Sequence, residues 1–281
     1  MSAISFNKEK SAGRLLALEK YAIEVGISPS EFHCNWQPLC SSSLASDLQL
    51  KPENCGGLAH IGENYDVVID GKELRILFVG KDYGWGRSEL KERQTEIQTY
   101  SGEPNSHYKG VIKVLMEVFQ ERCESDSWRH LLWRMAQTNA TRCTAPRDDQ
   151  TGKPLMKSNI THTMRTHCWS HFRKELELLE PTLIWFHDAD AQSFFSQVAR
   201  KEGLPIIVPF EQHQECLLVE WTVFPRPFKS VLAFFHHPAF GHFGRQWTIA
   251  TDLIARLRES GYLPMFSTDW KSLEKREWPT I

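Results

Sequence analysis

Short, unbroken apolar runs that end in loops, each followed by a segment of helical periodicity, constrain this chain more than any other feature. Residues 74–79 (LRILFV) run straight into Gly80, and further strand candidates occupy 135–140, 183–187, 205–209, 217–224 and 231–236. Runs of this length without polar alternation suit strands buried on both faces. Between them, residues 108–119 place Val111, Ile112, Leu115, Met116 and Phe119 at the spacing of an amphipathic helix. Residues 7–26, 166–179, 190–201 and 247–260 also read as helices, the second of these ended by Glu180-Pro181. Strands alternating with helices predict an α/β fold, a three-layer α/β/α sandwich around a central, mainly parallel sheet. Ligands of such sheets bind at the carboxyl ends of the strands.

The 281 residues suit one large domain with an appendage: a helix and a cysteine-containing irregular extension over 1–60, then a domain over 61–281. The polar stretch 85–105 reads as a loop near the mouth of the sheet. No apolar run approaches the roughly 20 residues that span a bilayer, and the N-terminus lacks the apolar region of a signal peptide. A cytoplasmic monomer without membrane contact is the expectation. Net charge is −2, so the chain is no general binder of polyanions. Residues 142–165, however, carry Arg142, Arg147, Lys153, Lys157 and Arg165 against Asp148 and Asp149. That is enough basic charge for a few phosphates, or for a solvated loop. Seven cysteines, at 34, 40, 55, 123, 143, 168 and 216, form an odd set without secretory context. Metal ligation or simple burial is expected of them rather than disulfides.

Three segments at strand ends carry chemistry. Gly80-Lys81-Asp82-Tyr83-Gly84-Trp85-Gly86 presents an aspartate in a glycine-rich turn. Asn139, in Thr138-Asn139-Ala140-Thr141-Arg142-Cys143, offers a donor and an acceptor from one rigid position, or merely caps the strand. His236-His237-Pro238-Ala239-Phe240 supplies an imidazole that can stabilise developing negative charge. Metal ligation by the histidine pair is the poorer reading, since adjacent strand residues point apart.

In order and context these segments resemble the uracil-DNA glycosylase superfamily over most of 74–245. GKDYGW, residues 80–85, shares its Gly and third-position Asp with the GQDPYH motif of one branch. Asn139-Ala-Thr-Arg-Cys143 is similar to the NxxKC segment of the iron–sulfur branch, and Cys168-Trp-Ser-His-Phe-Arg-Lys-Glu-Leu followed by Pro181-Thr-Leu-Ile to its CxxFLxxEL…xPxxIV stretch. His237-Pro238-Ala239 stands for HPS, and His107-Tyr108-Lys109-Gly110 for PFxG. The chain departs from the pattern at Lys81, at Ala239, in the missing proline of the first motif and in the Cys-x5-Cys spacing of Cys34 and Cys40. These departures and the long 85–107 loop extend the expected substrates from uracil to a bulkier modified pyrimidine, including modified cytosine of phage DNA.

The resemblance implies a monofunctional DNA glycosylase, with a catalytically inactive nucleic-acid-binding relative as the alternative. It gives Asp82 the cationic sugar and the attacking water, and gives His237 the leaving base. Gly80, Lys81, Tyr83, Tyr108 and Asn139 would bind the flipped nucleotide, Tyr108 by stacking and Asn139 by reading its edge. Arg142, Arg147, His236, Phe240 and Arg245 are the expected DNA contacts. A [4Fe–4S] cluster would take Cys143 and Cys168, which match by flanking residues, and two ligands from upstream. Cys34 and Cys40 are chosen because a short loop can bring both to one point, with Cys55 in reserve. No GxSxG elbow, Walker-type glycines or HExxH is present to suggest another hydrolase.

Overall fold

In chain order the elements are β1 (Ile4–Phe6), α1 (Lys8–Glu24), α2 (Gln37–Ser42), β2 (His60–Ile61), β3 (Val67–Ile69), β4 (Lys72–Leu74) and β5 (Ile76–Gly80). There follow α3 (Ser106–Phe119), α4 (Arg129–Leu132), β6 (Met135–Asn139), β7 (Arg147–Asp148), β8 (Pro154–Leu155), α5 (His162–Leu179) and β9 (Leu183–Phe186). The last are α6 (Ala191–Glu202), β10 (Ile206–Ile207), β11 (Cys216–Glu220), β12 (Lys229–Phe234) and α7 (Gly241–Glu259). The structure, a computed structural model, describes residues 4–28, 31–50, 55–81, 104–121, 128–145, 147–148, 154–155, 159–188, 191–237 and 241–265. For 147–148, 154–155 and 241–245 it describes the backbone alone.

The central sheet has seven strands in the order β10-β11-β12-β9-β5-β6-β2. Its four middle strands, β12, β9, β5 and β6, run parallel, while β10, β11 and β2 are antiparallel to their neighbours. The apolar runs form the middle because only there are both faces covered. Along β5, Ile76 and Phe78 face a core shared with α3, α4 and α7, whereas Leu77 and Val79 face one shared with α1, α5 and α6. Trp185 and Ala233 join the first core, Ile184, Phe186, Leu232 and Phe234 the second. The three layers follow directly from this period of two. No helix among the described residues is long and apolar enough to cross a membrane.

The run at 74–79 is two strands rather than one. Leu74 ends a hairpin whose turn, Asp70-Gly71, has φ of 49° and 78°, the left-handed geometry that Asp-Gly favours. At Arg75 the chain passes from that small sheet to the central one, the Arg75 N–H donating to Thr182 Oγ1 at 2.9 Å. The stretch 27–60, read as irregular, contains α2 and reaches the edge strand β2. Helix α5 begins earlier than its apolar spacing suggests, because the Thr161 hydroxyl caps it by accepting the Met164 N–H at 3.1 Å.

Candidate active site

The carboxyl ends of β5, β6 and β9 lie side by side and carry unlike residues. The register pairs Gly80 with Asn139 and Val79 with Phe186, so His187 stands level with Gly80 on its other side. The His187 N–H donates to Val79 O at 2.8 Å and holds that level. Side chains at one level of a parallel sheet share a face, and this is the face of Phe78 and Trp185, beneath α3. Gly80 contributes no side chain between Asn139 and His187. A slot of about two strand spacings, ~10 Å, is left between them.

Three imidazoles close one end of this slot. His107, in the first turn of α3, lies against the His237 ring with centroids 4.9 Å apart and edge-on to His187 at 5.1 Å. His187 and His237 are 6.1 Å apart, also edge to face. The Gln137 amide donates to His107 Nε2 at 3.1 Å. That nitrogen must therefore accept, which puts the His107 proton on Nδ1, where it donates to His237 Nε2 at 3.1 Å. The proton of neutral His237 is then on Nδ1, its sole donor. His187 is 2% exposed, and neither of its ring nitrogens has a hydrogen-bond partner among the described residues.

All three rings are held neutral. Burial, then the neighbouring His237, pushes His107 down to about 3. Burial, then His107 and His237, lowers His187 well below the ordinary range, and burial lowers His237. Each neutral ring carries one N–H donor and one acceptor nitrogen. A neutral imidazole can donate to an atom that gains negative charge without first adding a positive one.

Of the residues expected from sequence, the structure brings Gly80, Asn139 and His237 to this one edge. Lys81 is half-buried, its carbonyl facing the Thr141 hydroxyl at 3.5 Å. Tyr108 is buried in the core at the start of α3, its N–H accepted by Asn105 Oδ1 at 3.0 Å and its ring edge-on to His107. His236 is exposed and donates its backbone N–H to Gln246 Oε1 at 2.9 Å. Asp82, Tyr83 and Phe240 lie outside the described residues, as do the side chains of Arg147 and Arg245. His107, Gln137 and His187 were not expected from sequence.

Arg142 is a correction. Expected on a phosphate, it is 1% exposed and grips Glu175 of α5 through Nη1 at 2.8 Å and Nη2 at 2.7 Å. Nη1 also donates to Thr138 Oγ1 at 3.0 Å and Gly57 O at 3.1 Å. Glu175 sits on the opposite face of the sheet from Asn139, and the guanidinium is drawn inward to neutralise it.

The cysteines gather beyond β6. Cys34, Cys40, Cys143 and Cys168 line one small cavity of about 10 Å³ together with Phe32, Trp36, Met164 and His167. Trp36 stacks on His167 with centroids 4.3 Å apart and covers it. Cys55 forms an isolated β-bridge with Cys143. Burial pushes the Cys40 thiol up to about 12 and raises Cys34 and Cys168; hydrogen bonding to Cys55, then burial, raises Cys143. Without a metal these are neutral thiols. Among the described residues no group of three or more such side chains is placed to hold a single metal ion. The donor set is nonetheless the kind an iron–sulfur cluster takes, and a cluster spreads its thiolates wider than one ion does.

No family model matches the chain, and no curated protein does. Among solved structures it is similar to the crystal structure of wild-type SMUG2 from Pedobacter heparinus, at 14% identity over 66% of this chain and 76% of that one, with a TM-score of 0.38.

Proposed function

We propose that this protein is a monofunctional DNA glycosylase of the uracil-DNA glycosylase superfamily, acting on uracil or a modified pyrimidine, including modified cytosine of phage DNA. One observation carries the reading: Gly80, Asn139 and His237, singled out by motif, share a strand-end slot walled by neutral imidazoles. A base is planar, neutral and polar at its edges, and that slot suits it. The target nucleotide is flipped out of the stack at a cost of roughly a few kcal/mol. Asn139 reads the Watson–Crick edge of the base, and Tyr108 and His107 wall it. The N-glycosidic bond breaks with its electron pair leaving on the base, whose oxygen receives the His237 Nδ1–H hydrogen bond. Asp82, two residues beyond Gly80, faces the cationic sugar and takes the proton of the water that adds there; the departed base takes up a proton in turn. Arg147, His236, Phe240 and Arg245 hold the flanking DNA. Oligonucleotides carrying uracil, hypoxanthine, 5-hydroxymethylcytosine or its glucosylated form are expected to yield alkali-labile abasic sites for at least one pyrimidine. Intact strands across the whole panel would remove the reading.

In the same reading Cys34, Cys40, Cys143 and Cys168 hold a [4Fe–4S] cluster, with Cys55 the reserve ligand. When bound, it supplies structural cross-linking of the N-terminal extension to α5, with no change of oxidation state. Anaerobically purified protein is expected to be brown and to carry about four irons per chain. Colourless, iron-free protein whose melting temperature is indifferent to chelators would mean that these are packed thiols.

A further inference from the structure

The orphaned imidazole of His187 points to the substrate. Buried polar groups are nearly always hydrogen-bonded, and one left unsatisfied costs about 1–3 kcal/mol. His187 carries two such nitrogens at the carboxyl end of β9, 2% exposed and in ring contact with Phe78, His107 and His237. The buried Gln137 Oε1 on the same face lacks a partner among the described residues too. The four residues of β9 that lead to it are apolar and wholly or nearly buried, so the imidazole stands alone as a polar group at the end of an apolar strand. A ligand that carries both a donor and an acceptor would complete it.

We propose that His187 is a base-contacting residue that selects pyrimidines bearing a polar, hydrogen-bonding substituent at C5, of which a hydroxymethyl group is the smallest natural type. The inference rests on the glycosylase reading above. Asn139 on β6 takes the Watson–Crick edge, and His187 stands across the glycine-floored slot, ~10 Å away by strand spacing. The edge of a pyrimidine turned away from its Watson–Crick face offers only C–H groups at C5 and C6. Uracil and cytosine thus leave the imidazole unsatisfied, whereas a hydroxyl on C5 can both donate to it and accept from it. A site built around a hydrogen bond rejects the analogue that lacks the group far more strongly than an apolar pocket does.

The test compares wild type with His187→Phe, which keeps a planar ring and removes both nitrogens, and with His187→Gln, which keeps a donor and an acceptor. Single-turnover excision is measured on duplexes carrying 5-hydroxymethylcytosine, cytosine, uracil or hypoxanthine, alongside melting temperature. Wild type is expected to favour 5-hydroxymethylcytosine over cytosine by about 100-fold or more. His187→Phe should lose about 10- to 100-fold on 5-hydroxymethylcytosine alone, with a melting temperature equal to or above wild type, and His187→Gln should recover part of the rate. A merely structural histidine would instead lower the melting temperature and slow every substrate alike. Uniform loss, no loss, or a wild type that excises uracil in preference overturns the inference while leaving the glycosylase reading intact, and preference for hypoxanthine, a purine, overturns both. Excision of no base by wild type overturns that reading and this inference with it.

Discussion

Replacing His237 with Ala is expected to slow base excision by about 100- to 1,000-fold, and Asp82→Asn by about 100- to 10,000-fold, with DNA binding nearly unchanged. Both side chains act on charge that exists only as the glycosidic bond breaks, so their loss falls on the chemical step rather than on affinity. The geometry sharpens the first of these expectations. His107 Nδ1 occupies His237 Nε2 at 3.1 Å, leaving His237 to donate through Nδ1. His107→Phe should therefore slow excision too, by freeing the His237 tautomer. The pH profile is a second readout. Burial lowers His237, and burial with His237 beside it brings His107 down to about 3. The neutral form is the working one, so the wild-type rate should hold as pH falls through the ordinary histidine range near 6.5 and decline only below it. Single-turnover kinetics across pH supply both measurements. Near-normal turnover in both variants, or an acid limb at 6.5 or above, would remove the mechanism.

What could be read from the chain follows from where each signal is local. Of the four parallel strands, β5, β9 and β12 are legible because burial on both faces writes a largely apolar run, with no tertiary knowledge needed, whereas β6 carries Gln137, Thr138 and Asn139. Gly80, Asn139 and His237 follow from asking which residues stand where strand candidates pass into loops. The same question, put to 183–187, would have found His187, where an apolar run closes on an imidazole. His107 is legible only through the motif it shares with its neighbour Tyr108, whose ring it meets edge-on. Gln137 is one of three polar residues in β6, and nothing in the sequence sets it apart from Thr138 beside it. The hairpin of β3 and β4 carries a local signal in Asp70-Gly71, which the apolar run beginning at Leu74 masks. Arg142 is different in kind. Its partner Glu175 lies 33 residues away, on a helix packed against the far side of the sheet, and charge alone does not separate a guanidinium facing phosphate from one facing inward.

Arg142→Met is accordingly expected to destabilise the fold and not to weaken a phosphate contact. Removing one partner of a buried ion pair costs about 3–5 kcal/mol, which for a chain of this size lowers the melting temperature by roughly 10 °C. Burial pushes the Glu175 carboxyl up against the pull of Arg142. Without the guanidinium that carboxyl takes up a proton, and the bonds joining it to Gly57 and Thr138 through Arg142 are lost. The damage should centre on the junction of β6, α5 and the segment at Gly57, beside the cavity that Arg142 lines with its chain neighbour Cys143. Replacing both charges, as Arg142→Met with Glu175→Leu, should recover part of the loss, because two apolar side chains remove the uncompensated group. DNA affinity separates the two roles. A phosphate contact contributes nearly one unit to the slope of log affinity against log salt. Arg142→Met should leave that slope unchanged when measured by fluorescence anisotropy below the melting transition. A slope reduced by about one, with an unaltered melting temperature, would instead put the guanidinium on DNA.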